Sequence, residues 1–117
     1  MSVRSSAFLI VFLALGSVAN AQVNPPVVDI MRGDANGDGK VNTADMIYIN
    51  NWLFNQGSCP PCMDAADVND DGRVNVADIS YLQSYLYMNG PAPLPPFPYC
   101  GRDPTSDYLS CSSWSCP

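Results

Sequence analysis

The sequence predicts an all-α fold, a small domain of two loop–helix units packed antiparallel and followed by an irregular tail rich in Pro and Cys. Three observations lead to this prediction. The stretch DANGDGKVNTAD at 34–45 recurs as DVNDDGRVNVAD at 67–78, with eight of twelve positions identical. Apolar residues follow each copy at helical spacing. Prolines interrupt the segments before the copies, NPPVVDIM and CPPCMDAA, so we expect no regular helix to enter either loop.

The N-terminus has the pattern of a secretory signal peptide over residues 1–21. Arg4 gives a positive start, AFLIVFLALGSVA is a continuous apolar run, and ANA at 19–21 is a small-residue cleavage site. The run has about thirteen residues, whereas a membrane span needs roughly twenty. We therefore predict a secreted, extracellular protein without membrane insertion, divided into a short segment 22–31, a domain 32–90 and a tail 91–117.

The charge of the exported chain limits its partners. Without Arg4 it has four basic residues against eleven acidic ones, a net charge of −7, and every acidic residue is Asp. Nucleic acids and anionic lipids require a basic surface, so both are excluded, and cations are favoured. The sequence has no His. Since imidazole is the commonest general base, this composition argues against an enzyme.

The side chains of the repeated loops alternate as in a calcium-binding loop, whose first, third, fifth, seventh, ninth and twelfth positions supply oxygen. Gly39 and Gly72 stand at the sixth position, where the chain turns sharply. A cationic side chain cannot bind Ca²⁺, so the seventh position contributes its carbonyl oxygen. The predicted ligands of two Ca²⁺ ions are Asp34, Asn36, Asp38, Lys40, Asn42 and Asp45, and then Asp67, Asn69, Asp71, Arg73, Asn75 and Asp78.

One such cluster could be an ordinary solvated turn, because Asp, Asn and Gly favour turns for local reasons. Two copies in register favour a metal site instead. The ninth-position Asn residues could bind the ion directly or through a water molecule. The acidic residues outside the ligand pattern, including Asp64 and Asp70, are interpreted as solvated charges.

A helix is predicted after each loop. Asn42 and Asn75 are suited to cap these helices, and Gly57 and Gly90 to end them. The apolar stripes are interpreted as core, through which the two helices pack face to face. They consist of Met46, Ile49, Trp52 and Leu53 in the first unit, and of Ile79, Leu82, Tyr85 and Leu86 in the second.

Five cysteines lie in the exported part, where an oxidising compartment favours disulfides. Because the number is odd, at least one is free, paired with another chain or modified. CPPC at 59–62 could be a redox dithiol or half of a zinc site, but no His or second CxxC completes either. A structural disulfide is favoured, either local or to the tail. The candidates are Cys59, Cys62, Cys100, Cys111 and Cys116.

After Gly90 the composition changes to GPAPLPPFPYCGRDPTSDYLSCSSWSCP. The prolines predict an extended, semi-rigid strap. We interpret the tail as an appendage folded against the domain and held by disulfides. The alternative is a Pro-rich recognition or anchoring tail.

From Gly33 to about Gly90 the chain resembles the dockerin modules of secreted bacterial proteins. Their signature is a duplicated Asp-x-Asn-x-Asp-Gly-x-x-Asn-x-x-Asp loop followed by a helix with leucine-like residues four and eight positions after the last Asp. Here those residues are Ile49, Leu53, Leu82 and Leu86.

The resemblance implies a calcium-dependent docking module. Its partner would be a cohesin-type module on a scaffold or cell-surface protein, in an extracellular assembly that degrades polysaccharides such as cellulose or xylan. Near-identical units also imply approximate twofold symmetry, so a partner could dock in either of two orientations. The family often carries hydroxyl residues just before the last ligand, and this chain departs from that pattern. Candidate partner contacts are Thr43, Ala44, Asn50, Asn51, Val76, Ala77, Gln83 and Ser84.

Two other functions fit the sequence less well. The first is a calcium-stabilised extracellular structural protein without a cohesin partner, in which the ions compensate for a small core. The second is a hydrolase acting on O-glycosyl bonds. That chemistry needs two carboxylates facing each other across a cleft, whereas most carboxylates here belong to the loops, and no catalytic module accompanies them.

Overall fold

A computed structural model of the chain describes residues 28–105, 107–109, 111 and 116. The predicted signal peptide and most of segment 22–31 lie outside these residues. The described residues form three helices, α1 at Thr43–Phe54, α2 at Met63–Ala66 and α3 at Val76–Tyr87. The described residues contain no strand beyond isolated bridges. The predicted all-α class is therefore confirmed.

Both long helices begin with a capping box. The side chain of Asn42 accepts the N–H of Ala44, and the carboxylate of Asp45 accepts the N–H of Asn42, at 2.9 and 2.8 Å. Asn75 and Asp78 make the equivalent bonds at the start of α3, both 2.9 Å long. Capping boxes satisfy backbone donors that a helix start leaves unpaired. The predicted caps are confirmed.

The predicted terminal glycines lie just beyond the helix ends, where the chain passes close to the last turn of the helix. Gly57 and Gly90 stand three residues beyond α1 and α3, and they donate their N–H groups at 2.8 Å to the carbonyls of Asn51 and Ser84. A Cβ at Gly90 would lie 2.7 Å from the Cβ of Ser84, and one at Gly57 would lie 3.0 Å from that of Asn51. Close backbone approach, rather than a left-handed conformation, requires glycine here.

The two long helices contact each other and share one core. Thr43, the first residue of α1, contacts the hydroxyl of Tyr87, the last residue of α3, so the helices run antiparallel. Ile49 and Leu82 are wholly buried at equivalent positions of the two units. The cluster also includes Ala35, Ala66 and Val68, with Val41, Met46, Tyr48, Leu53, Val74, Ile79 and Tyr81 packed against it.

The prediction about incoming helices is wrong for the second loop. The one-turn helix α2 begins just after Cys62 and ends directly before Asp67, so the second loop has a short incoming helix. The proline pair of CPPC precedes the helix, where the missing N–H groups disturb no intrahelical bond. Among the described residues, no helix has the length and apolar character needed to cross a bilayer.

The C-terminal segment packs against the segment that precedes the first loop. Ile30 and Gly101 exchange two backbone hydrogen bonds of 2.8 and 3.0 Å, and the ring of Phe97 meets that of Tyr85 edge-on at 5.6 Å. A second buried cluster lies here, formed by Ile30, Cys62 and Ala65 with Val28, Cys111 and Cys116 against it.

Two disulfides are formed, Cys62–Cys111 and Cys100–Cys116. The first joins the segment between the loops to the tail, which is one of the alternatives left open by the sequence. Cys59 is exposed and free, as the odd number required of at least one cysteine. In the chain-entropy account, a bridge over a separation of 49 residues stabilises the fold by about 4 kcal/mol.

Candidate metal centre

The first loop is organised around the carboxylate of Asp34. Its Oδ2 accepts the N–H of Gly39 at 2.8 Å, and its Oδ1 accepts that of Asp38 at 3.2 Å. Gly39 has a φ of +87°, which a residue with a Cβ rarely adopts. The carboxylate of Asp45 closes the other end of the loop, accepting the N–H of Asn36 at 3.2 Å. These bonds turn the side chains of the loop toward one another.

The second loop repeats this arrangement. Asp67 accepts the N–H of Gly72 at 2.9 Å and that of Asp71 at 3.2 Å, and Gly72 has the same φ of +87°. Asp78 accepts the N–H of Asn69 at 3.3 Å. The backbones of the two loops are therefore held by equivalent hydrogen bonds.

Each loop brings three of its predicted ligands into one group. One carboxylate oxygen from each of Asp34, Asp38 and Asp45 lies within 4.8 Å of the others, and the same holds for Asp67, Asp71 and Asp78. Hard oxygen donors grouped in this way suit Ca²⁺, which takes six to eight oxygen ligands. The side chains of Lys40 and Arg73 are exposed, which leaves only their carbonyl oxygens for the predicted role.

The third-position side chains differ between the loops. The Oδ1 of Asn36 accepts the N–H of Asp38 at 3.2 Å. The Oδ1 of Asn69 is buried and accepts no hydrogen bond from the described residues. A buried acceptor without a partner costs about 1–3 kcal/mol, and a bound cation at this predicted ligand would remove that cost. The residues present therefore fit a calcium ion.

Burial alters the acidity of the loop carboxyls. Desolvation, with smaller contributions from the charges of Asp34 and Asp38, raises the pKa of Asp45 to about 7, against backbone hydrogen bonds that lower it. Desolvation likewise raises the pKa of Asp67 to about 7. It also raises those of Asp34 and Asp78. Without a metal Asp45 and Asp67 are partly protonated near pH 7, and a divalent cation would compete with these protons.

A buried guanidinium lies beside the second loop and has no counterpart among the sequence predictions. The side chain of Arg32 is fully buried and forms ion pairs with Asp64, Asp70 and Asp103, at 3.4, 3.6 and 2.7 Å. The interpretation of Asp64 and Asp70 as solvated charges is therefore wrong. No local pattern marks Arg32, because its partners lie 32 to 71 residues away in the sequence.

The candidate partner contacts are placed on the surface of the long helices. All of them are exposed except Ser84, which is half-buried and whose carbonyl accepts the N–H of Gly90. Large apolar side chains are also exposed along α1 and at the end of α3. They are Ile47, Phe54, Tyr87 and Met88, each more than half exposed.

The family model of the dockerin type I domain matches residues 32–87. The matched segment contains both loops and ends with the last residue of α3. No curated protein and no solved structure matches this sequence significantly. Dockerin domains are docking modules for cohesins rather than catalytic domains. Residues 32–87 of this chain form a dockerin type I domain.

Proposed function

We propose that the protein is a secreted docking module that binds two Ca²⁺ ions and then a cohesin-type module of a scaffold or cell-surface protein. Its role would lie in extracellular complexes that degrade polysaccharides such as cellulose or xylan. The observation that carries the proposal is the pair of acidic groups in loops 34–45 and 67–78, each with three ligand atoms within 4.8 Å.

The predicted ligands of each ion are the six loop positions named from the sequence. A bound Ca²⁺ ion brings two positive charges to the three carboxylates of its loop and so offsets most of their mutual repulsion. Each loop leads directly into the capping box of a long helix. Fixing the loops would therefore fix the starts of α1 and α3, and a preorganised surface loses less conformational entropy when a partner binds.

The proposed docking surface consists of the exposed residues at the starts and along the outer sides of α1 and α3. Ala44 and Ala77 occupy equivalent exposed positions in the first turns of these helices. Because the two units repeat, a cohesin could engage either helix start. The two orientations would then present similar contacts.

The first test measures binding of purified cohesin modules to the full-length protein by calorimetry, in calcium and in excess chelator. We expect a one-to-one complex that forms in calcium and is absent in chelator. Binding that survives chelation would contradict the calcium dependence. If every cohesin fails to bind in calcium, the docking role is wrong.

The second test uses Ala44→Arg, Ala77→Arg and the double variant. With two available orientations, each single variant retains binding and the double variant loses it. Tyr99→Arg places the same side chain on the tail, at a residue that is 81% exposed, and serves as the control. A double variant that binds as the control does would remove the helix starts from the proposed surface.

A calcium-stabilised structural protein is the second candidate, and the small core favours it. Ile49, Leu82 and Val68 are the largest members of the buried cluster shared by the described units. A core of this size gains much from disulfides and bound ions. This candidate predicts two bound Ca²⁺ ions, a large loss of stability in chelator and no cohesin complex.

A further inference from the structure

Arg32 occupies a buried position where the second loop, α2 and the tail meet. Its Nη1 donates to the carbonyl oxygens of Asp64 and Asp67 at 3.0 and 2.9 Å, and its Nε donates to that of Pro95 at 2.9 Å. Its Nη2 donates to Oδ1 of Asp103 at 2.7 Å. One guanidinium therefore connects the first residue of the second loop to two residues of the tail.

Charge and burial fix this guanidinium in place. A buried cation is costly unless it is paired and fully hydrogen-bonded. Carboxylates of Asp64, Asp70 and Asp103 lie within 3.6 Å of the Arg32 guanidinium, and each of its three nitrogens donates at least one hydrogen bond. The tail adds a second tie, since the hydroxyl of Thr105 lies 2.8 Å from Oδ1 of Asp70 and 2.7 Å from Oδ1 of Asp103 and shares its one proton between them. The start of the second loop is thus held from two sides.

The first loop lacks the equivalent brace. The repeat of 33 residues places Ala65 at the position of Arg32, and a methyl group has no hydrogen-bonding atom. The ligands at the third loop position also favour the second site over the first. Asn69 keeps its Oδ1 free for a cation, whereas Asn36 uses its Oδ1 to accept the N–H of Asp38. One of the two lone pairs of the Asn36 oxygen is therefore already used, whereas both remain available on Asn69.

We propose that Arg32 is a positioning residue for the second calcium site, and that the brace it forms with the tail makes the second loop the tighter of the two. Arg32 acts through the backbone of Asp67, whose carboxylate is the predicted first ligand. The inference rests on the proposed calcium binding and is independent of the proposed cohesin partner. A preorganised loop loses less freedom when it binds an ion and so binds more tightly.

Calcium titration of the ¹⁵N-labelled full-length protein, with its disulfides formed, tests this by NMR. The N–H groups of Gly39 and Gly72 each donate to the first ligand of their own loop, so each amide signal reports one site. The signal of Gly72 should reach its midpoint at a lower calcium concentration than that of Gly39. Coincident midpoints, or a lower midpoint for Gly39, would overturn the inference. If neither signal responds, the proposed calcium binding itself fails.

Arg32→Met removes the guanidinium and keeps much of the aliphatic side chain. Residues that hydrogen-bond to a metal ligand and orient it typically contribute ten- to a hundredfold to the metal affinity. We expect the Gly72 midpoint to rise by about that factor, with the Gly39 midpoint changing less than about twofold. A merely structural role would move both midpoints equally, and this outcome would overturn the assignment.

Two milder variants decide the matter if Arg32→Met does not fold. Thr105→Val, at an exposed residue, removes the tie between the tail and Asp70, and it should raise the Gly72 midpoint by about two- to tenfold. Asp103→Asn weakens the ion pair with Arg32 and should act in the same direction. Asp29→Asn makes the same charge change at an exposed residue and is the control. Unchanged Gly72 midpoints in both variants would overturn the inference.

Discussion

The two loop–helix units share their ligands, caps and core positions but differ in what holds them from outside. Tyr48 and Tyr81 show how far the likeness extends, because each hydroxyl donates to a carbonyl eleven residues ahead, at 3.3 and 2.9 Å. Arg32 and Ala65 occupy equivalent positions, yet the arginine alone carries a hydrogen-bonding side chain. The duplication thus preserves the binding loops, while Arg32 ties the tail to the second loop and has no counterpart for the first.

The largest expected effect comes from removing the first ligand of one loop at a time. Asp34→Ala and Asp67→Ala each delete a carboxylate that also organises the N–H groups of the loop. Calorimetry should show one bound Ca²⁺ in each variant, against two in the unmodified protein and in the control Asp29→Ala. Two ions bound to either variant would contradict the assignment of that ligand.

Truncation of the shared core compares the units by stability. Ile49→Ala and Leu82→Ala empty equivalent, fully buried positions, and each should lower the free energy of unfolding by about 2–5 kcal/mol. Urea unfolding in saturating calcium measures the loss. Ile47→Ala, at a residue that is 54% exposed, should cost less than about 0.5 kcal/mol. A loss no greater than this control would show that the unit concerned does not depend on the common core.

Substitution of the two glycines after the helices should lower the stability by different amounts. Gly90→Ala places its Cβ 2.7 Å from a side-chain carbon of Ser84, whereas Gly57→Ala leaves 3.0 Å to Asn51. Overpacking of this kind costs about 1–3 kcal/mol, and we expect the larger loss at Gly90. Thermal unfolding of both variants in calcium gives the order, and a larger loss at Gly57 would contradict it.

The pH dependence of the metal-free protein should be similar in both units. The pKa values of Asp45 and Asp67 rise from 3.8 to about 7 on folding, so the folded chain binds more protons than the unfolded chain between these values. The free energy of unfolding is therefore highest below the lower value and falls as the pH rises to about 7.

Urea unfolding in chelator between pH 5 and 8 measures this slope, and Asp45→Asn and Asp67→Asn should each reduce it. In calcium the slope should reverse, because the ion binds the deprotonated carboxylates. A metal-free protein that becomes more stable toward pH 8 would contradict the raised pKa values.

The sequence was informative wherever structure depends on local spacing. The twelve-residue loops predicted the grouped carboxylates, and Asn42 and Asn75 predicted the capping boxes that the structure contains. These features depend on residues within one turn or loop of each other, so a short pattern is sufficient to predict them. Because the pattern occurs twice in register, it indicated a metal site rather than an ordinary turn.

Several features that depend on distant partners were not predicted. Arg32 departs from the repeat and its bonds reach Asp103, 71 residues away, so no spacing rule relates the two. The same reason explains the error at Asp64, whose ion-pair partner Arg32 lies 32 residues away in the sequence. The choice of Cys111 as the partner of Cys62 also depends on how the tail folds back.

The pairing of Ile30 with Gly101 has a consequence for the order in which the chain folds. During synthesis the N-terminal part emerges first, and residue 30 must wait for residue 101 before its two backbone bonds form. Closing so large a loop is slow compared with local helix formation. Until then the guanidinium of Arg32 lacks Asp103 and stays in water. Truncated or prematurely released chains would therefore contain formed loops without the pairing of Ile30 with Gly101. Proteases would cleave such chains in preference to the completely folded protein.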